Sequence, residues 1–278
     1  MEIWSLVFLS VNISHRIEKT ASGWHILVAE DDFERADKEL TAFERENRGW
    51  PPPAPGPAKA PPGSWRLPLL AAAALAAFYN QTGPWLGNGN MWFRQGMVNS
   101  RAILHDHQWW RLVTGLTLHA DINHLLGNIC LGALVLYYLG LETGAGAALF
   151  LALITGETGN LLNAFFHGSG HHAVGFSTAI FGLIGVLAGL RLADPSRGLK
   201  GILGPLGAGA GLLAMLGSGG ARTDLGAHLW GMLVGLFCGI LCHQVLNRSR
   251  PGAWRFWQET WAASTLLLVL VAWHLALR

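Results

Sequence analysis

The sequence predicts an all-α polytopic membrane protein that carries a small αββα soluble module at its N-terminus. Long apolar stretches fill the chain from about residue 66 onward, and the whole is 51% hydrophobic against 13% charged, a balance foreign to soluble domains. Charge is divided along the chain. Residues 1–50 hold ten acids and six bases, net −4, whereas the remainder holds thirteen bases and seven acids, net +6, so the two regions face different solvents. Between them lies Pro51-Pro52-Pro53-Ala54-Pro55-Gly56-Pro57, followed by Pro61-Pro62-Gly63, the composition of an extended, semi-rigid linker.

Within residues 1–50, Ser5 to Val11 reads as a short helix, and His15–Lys19 with Trp24–Val28 flank Ala21-Ser22-Gly23 as a hairpin. Asp31 to Asn47 reads as an amphipathic helix with Phe33, Ala36, Leu40 and Phe43 on one stripe and acids in its first turn. The linker occupies 51–65. Seven candidate spans follow, at about 66–81, 119–140, 144–165, 177–193, 200–217, 225–246 and 259–277. The first six make a membrane core over 66–246, and 247–278 supplies a loop and an extra C-terminal helix.

The basic excess of the second region belongs to loops beside lipid head groups and gives no sign of nucleic-acid binding. With the soluble module inside, eight Lys and Arg of the membrane region collect on the cytoplasmic side and five outside, which sets the N-terminus in the cytoplasm. Cys130, Cys238 and Cys242 all fall in apolar segments, where they read as small buried residues and not as a disulfide or metal set. The first residues lack a basic n-region, so no signal peptide is expected.

Two polar side chains head separate glycine-rich apolar segments: Ser177 in Gly175-Phe176-Ser177-Thr178-Ala179-Ile180-Phe181-Gly182 and His228 in Gly226-Ala227-His228-Leu229-Trp230-Gly231. Ionisable and polar groups in spans are costly and point to function, and a hydroxyl with an imidazole is the minimum for a nucleophile and its base. The inferred topology puts both at the outer ends of helices that run inward, hence at one depth. His228 shares a helical face with Gly231, Gly235 and Gly239, and Ser177 with Phe181, Gly185 and Gly189. Small residues on such stripes let backbones approach, which would bring the two side chains together. The plain alternative is helix packing with a serine bonded to its own backbone.

A third set lies upstream. Trp110-Arg111 leads to His119, His124 and Asn128, and the last two are i, i+4 neighbours on one face. Donors there can hold an oxyanion. The rival reading is a metal site, but no HExxH or partnering carboxylate accompanies the histidines. Asp224, one turn before His228, invites assignment as a third member of a triad but reads as a loop residue. Glu157, Asn160 and Asn163 read as interhelical hydrogen bonders, and His167, His171 and His172 as solvated loop residues.

With Trp110-Arg111, the His119/His124/Asn128 spacing, Gly-x-Ser at 175–177 with Gly182, and Ala227-His228 followed by Gly231 and Gly235, the chain resembles the rhomboid family of intramembrane serine proteases over about residues 66–246. The resemblance implies a rhomboid-like six-helix core, here with a seventh C-terminal helix, and no cofactor or metal. It implies Ser177 as nucleophile, His228 as base and then acid, and an oxyanion hole from the Ser177 N–H, the His124 side chain and the Asn128 amide. It also implies Phe181 packed on the His228 ring, and Trp110-Arg111 in a membrane-dipping first loop that braces the core. Thr178 departs from the small Gly often found after the nucleophile, a change that would either crowd the oxyanion site or alter substrate preference. Glu142 matches an acidic residue after the second span.

The expected function is therefore hydrolysis of transmembrane segments of other membrane proteins, single-span helices that unwind near the cleavage point, in a bacterial inner membrane with the site open to the periplasmic side. A non-catalytic rhomboid-like binder and a channel or transporter are the rivals. The first would lose the serine and histidine, and the second would show paired intramembrane charges or inverted repeats. The physiological substrate and the partner of the N-terminal module are not written in the sequence.

Overall fold

A backbone inside lipid must satisfy its own N–H and C=O groups, so apolar segments of this length fold as helices. The computed structural model describes residues 2–20, 23–50, 65–83, 90–194, 198–217, 224–248 and 256–278; the proline tract assigned to the linker lies outside the described residues. The chain divides into two units, Met1–Lys59 and Ala60–Arg278.

The first unit has α1 (Glu2–Ser10), an antiparallel hairpin of β1 (His15–Thr20) and β2 (Gly23–Val28), and α2 (Phe33–Glu46). Its core is small, Phe8, Ile13 and Ala36 with Val11, Ile26, Val28 and Leu40 against them, which is what so short a module can bury. Phe33 does not join it. At 63% exposure it stands at the first residue of α2, and the buried stripe begins one turn later at Ala36.

All seven expected spans are helical. They are α3 (Arg66–Thr82), α7 (Ile122–Thr143), α8 (Ala145–His167), α9 (Ser177–Ala193), α10 (Gly198–Gly217), α11 (Leu225–Arg248) and α12 (Gln258–Ala276). Among the described residues, four are long and apolar enough by themselves to cross a membrane: Ile122–Thr143, Ala145–His167, Leu225–Leu246 and Gln258–Ala276. The helix that opens with Ser177 is shorter. Between α3 and α7 the first loop is built from α4 (Met91–Gly96), β3 (Val98–Asn99), α5 (Ser100–Leu104) and α6 (Arg111–Thr117). β3 pairs antiparallel with β4 (His172–Ala173), so the first loop is bonded to the segment that leads into α9.

The centre of the membrane unit is α9. Its residues Ala179, Ile180, Phe181, Leu183, Val186 and Ala188 are all buried, enclosed by α11, α8, α7 and α10. The approach of α9 and α11 is backbone to backbone. A Cβ added at Gly231 would collide with the Thr178 carbonyl, at Gly235 with the Gly182 carbonyl, and at Gly239 with the Val186 carbonyl. Both chains advance together through these contacts, so the two helices run parallel, with Ser177 and His228 in their first turns. At their far ends Arg191 of α9 pairs with Glu142 of α7.

The seventh helix belongs to the membrane unit. Gln258 at its start accepts from the Ala147 N–H at 3.0 Å and donates to the Thr143 carbonyl at 3.1 Å, clasping the turn between α7 and α8. At its other end the Trp273 indole donates to Thr117 Oγ1 at 3.1 Å, and its ring meets Phe78 and Trp92 with centroids 5.0 and 5.4 Å away.

Because Gly235 meets a carbonyl and not a movable side chain, Gly235→Val is expected to destabilise the membrane unit by roughly 1–3 kcal/mol through overpacking. Thermal unfolding of the detergent-solubilised protein checks it; an unchanged midpoint would show that the helices part freely.

Candidate active site

Ser177 is the first residue of α9, following Phe176, and His228 lies in the first turn of α11, its N–H bonded to the Asp224 carbonyl at 3.2 Å. His228 Nε2 stands 2.7 Å from Ser177 Oγ. With the ring proton on Nδ1, the hydroxyl donates to Nε2, which is the direction proton transfer requires. The imidazole is 3% exposed and stacks on Phe181, centroids 4.5 Å apart and planes within 18°. Phe181 sits one turn below Ser177 on the same helix, so a single helix supplies both the hydroxyl and the plate that orients the base.

Among the described residues, His228 Nδ1 has no hydrogen-bond partner. No carboxylate among them therefore bonds the ring as a third member of the pair. Asp224 directs one oxygen to the Ala227 N–H at 3.0 Å, capping α11, and the other to His171 Nε2 at 2.6 Å and Asn163 Nδ2 at 2.8 Å. His171 is thus a bonded residue and not the solvated one expected of its loop, whereas His167 and His172 are exposed. Its bond to Asp224 raises the His171 pKa against the opposing effect of burial. For Asp224, burial works upward, and the bonds from His171 and the Ala227 N–H outweigh it and leave the carboxyl below the usual range.

Gly175 makes room beside the serine. Its φ of +131° is closed to residues with a side chain, and its N–H is held by the Gly115 carbonyl at 2.9 Å. The point a Cβ would occupy lies 2.7 Å from His124 Nε2 and 3.5 Å from Ser177 Oγ, so His124 and Ser177 border the same space. His124 rests edge-on against the buried ring of His119, centroids 5.3 Å apart. Burial, with His124 beside it, pushes His119 down to about 3, so it packs as a neutral ring. Asn128 is buried on α7 and spends one amide proton on the His124 carbonyl at 3.0 Å. Among the described residues it makes no hydrogen bond to Ser177, and the amide carries a second N–H.

Thr178 sits elsewhere than expected. Its methyl packs where α8 and α11 meet, 2.8 Å from a Cβ position on Gly159 and 3.2 Å from one on Gly231, so it fills a helix crossing and does not crowd the serine. Asn160 ties α8 to the first loop through the Leu112 carbonyl at 3.0 Å. Arg111, only 6% exposed, donates to Gln108 Oε1 at 2.7 Å and to the Arg94 and Met97 carbonyls at 2.9 and 2.8 Å, folding the loop around itself. Neighbouring Trp110 packs its ring among α12 and core residues. Among the described residues no group of three or more His, Cys, Asp or Glu is arranged to hold a metal ion.

Replacing Arg111 by Lys leaves at least one buried carbonyl of the first loop unpaired, since an ammonium cannot reproduce the forked geometry. A loss of about 1–3 kcal/mol is expected, read as a lower unfolding midpoint in detergent; equal midpoints would remove Arg111 as the loop's organiser.

Comparison with known proteins bears on the family. A family model, the Rhomboid domain, matches residues 106–245, half of the chain. The chain is 30% identical over 150 residues to Rhomboid protease GluP of Bacillus subtilis, covering 50% of this chain and 27% of that protein. It is 32% identical over 150 residues to the Bacillus subtilis rhomboid protein YdcA, covering 51% and 71%. RHOMBOID-like protein 1 of Arabidopsis thaliana is 35% identical over 98 residues, covering 34% of this chain and 24% of its own. The match thus spans about a quarter of the length of GluP and of the Arabidopsis protein. The apolar helices and the family match together make this an integral membrane protein, and the chain belongs to the rhomboid family.

Proposed function

We propose that this chain is an intramembrane serine endopeptidase that cleaves transmembrane segments of other membrane proteins with a Ser177–His228 dyad. The observation that carries the reading is the 2.7 Å contact between Ser177 Oγ and His228 Nε2, made between two residues fifty-one positions apart, at the mouths of two parallel helices. Ser177 Oγ attacks the scissile carbonyl carbon while Nε2 takes its proton. The tetrahedral oxyanion lies in the space bordered by Gly175, accepting from the Ser177 N–H, the His124 ring and the second amide proton of Asn128. Collapse breaks the C–N bond, and the imidazolium returns its proton to the leaving amine. The C-terminal fragment departs as that amine. Water then attacks the acyl-enzyme with His228 again as base, the ester bond to Ser177 Oγ breaks as the imidazolium returns the proton to that oxygen, and the N-terminal fragment leaves with its new carboxylate.

The substrate reading follows from backbone chemistry. A helix hides its carbonyls in i to i+4 bonds, so a scissile bond must be presented by a segment that unwinds cheaply, and single-span helices with small or helix-breaking residues do so. In this reading the protein sits in a bacterial inner membrane with its N-terminus cytoplasmic and Ser177 opening to the periplasmic side, as the excess of inside Lys and Arg supports. Residues 1–50 then form a cytoplasmic module joined by residues 51–65 to the membrane core at 66–246, with 247–278 as the appended loop and helix.

A fluorophosphonate probe is expected to label the native protein and not Ser177→Ala. His228→Ala is expected to lower cleavage of a single-span substrate in proteoliposomes by at least about 10³-fold. Native protein that takes no label, and cleaves no better than Ser177→Ala, would instead be a non-catalytic binder of membrane proteins.

A further inference from the structure

We propose that Asp224, Asn163 and His171 form a proton-controlled latch that positions His228 against Ser177, with His171 as the positioning residue that titrates. The inference rests on the reading of Ser177 and His228 as the reacting pair and extends it to the device that holds them in register.

The latch touches both members. His171 lies in the loop that runs from α8 directly into Ser177, and Asp224 sits one turn before His228 at the head of α11. Asp224 fixes that turn twice. Its carbonyl accepts the His228 N–H at 3.2 Å, and one carboxylate oxygen accepts the Ala227 N–H at 3.0 Å. The other oxygen takes His171 Nε2 at 2.6 Å and Asn163 Nδ2 at 2.8 Å, which joins the head of α11 to the loop and to the end of α8. His171 is itself anchored to the first loop, since its N–H donates to Ser100 Oγ and its carbonyl accepts the Ser100 N–H, both at 3.0 Å. Pulling His171 away from Asp224 therefore removes one tie between the turn that carries the base and the loop that carries the nucleophile, beside the glycine contacts of α9 and α11. Of the ring nitrogens of His228, Nε2 meets Ser177 Oγ at 2.7 Å and Nδ1 has no partner among the described residues.

Among the described residues, the titratable groups that face His171 are Asp224 from α11 and His167 from α8, whose ring centroid is 4.4 Å away, with His228 acting on Asp224 from the next turn. The first loop contributes Ser100 and no charge at this contact. Asp224 keeps His171 protonated to higher pH than a free imidazole, and His171 keeps Asp224 ionised to lower pH than a free carboxyl. The charged pair is complete between those limits. As pH rises through the raised His171 value, the imidazolium loses its charge and the charge-assisted bond becomes an ordinary one, so the latch loosens on the alkaline side. The dyad needs neutral His228 and loses activity on the acid side. Two groups thus bound the working range, and only one of them is the base.

The test is the pH profile of fluorophosphonate labelling of full-length protein in detergent. The native profile is expected to fall on its alkaline limb on the order of fivefold, the gap between a charge-assisted and a neutral hydrogen bond. His171→Gln keeps a neutral donor that does not titrate, so its labelling should lie within about twofold of the lowered alkaline level of the native protein at every pH above the acid limb, with no alkaline limb of its own. Asp224→Asn keeps the helix cap and should also lose the limb. His171→Ala should be slow at every pH. Alkaline limbs that superimpose for native and His171→Gln, with labelling still dependent on Ser177, would overturn the latch and leave the dyad standing. Absence of any Ser177-dependent label at every pH would overturn the dyad reading and the latch with it.

Discussion

Everything at the site depends on how closely α9 and α11 approach. Glycine at 231, 235 and 239 puts the backbone of one helix against carbonyls of the other, and no residue with a side chain fits there. This contact sets the depth and azimuth of both helices, and so of the two side chains at their mouths. A hydrogen bond of 2.7 Å tolerates errors of a few tenths of an ångström, and backbone packing of this kind is one of the few constraints that can hold separated segments so closely in lipid, where the hydrophobic effect between helices is absent. The Phe181 plate then removes the remaining freedom of the imidazole by occupying one face of it.

The polar groups around this centre divide into those that build and those that border the serine. Arg111, Asn160 and Gln258 bond backbone groups of loops and turns, where unpaired polar atoms would otherwise be buried at cost. Each lies between elements far apart in sequence, so they act as staples for the first loop and the seventh helix. His124 instead borders the glycine position beside Ser177, and Asn128 bonds the His124 carbonyl from one turn along α7. The neutral, buried His119 belongs with the builders despite its chemistry, because it supports the His124 ring and does not titrate near neutral pH.

The seventh helix joins the same economy of contacts. It reaches the α7–α8 turn through Gln258 at one end and the first loop through Trp273 at the other. The loop that carries Trp110 and Arg111 is therefore held from its own interior, from β4 and from α12. A loop held on three sides is a rigid wall beside Ser177, in keeping with the principle that reactive geometry is set by the shell that supports it.

The sequence by itself determined the helices, because hydropathy and the need to satisfy backbone groups in lipid leave a span of this length one solution. It also marked Ser177, His228, His124 and Asn128, because polar residues in such segments are rare and costly, and Gly231 and Gly235, because their spacing makes a face. Only the tertiary structure decided which polar groups meet. His171 and Asp224 are fifty-three positions apart with nothing periodic between them, and a histidine in a loop looks solvated until a carboxylate is brought to it. Gln258 met Thr143 and Ala147 by the same route. Thr178 looked like an obstruction from its place in the chain, and packing turned its methyl into the α8–α11 crossing. Phe33 looked like core from its periodicity, but the module's small core begins one turn further in. Local pattern follows from one segment meeting one solvent; pairing follows from where several segments stop, and no single segment encodes that.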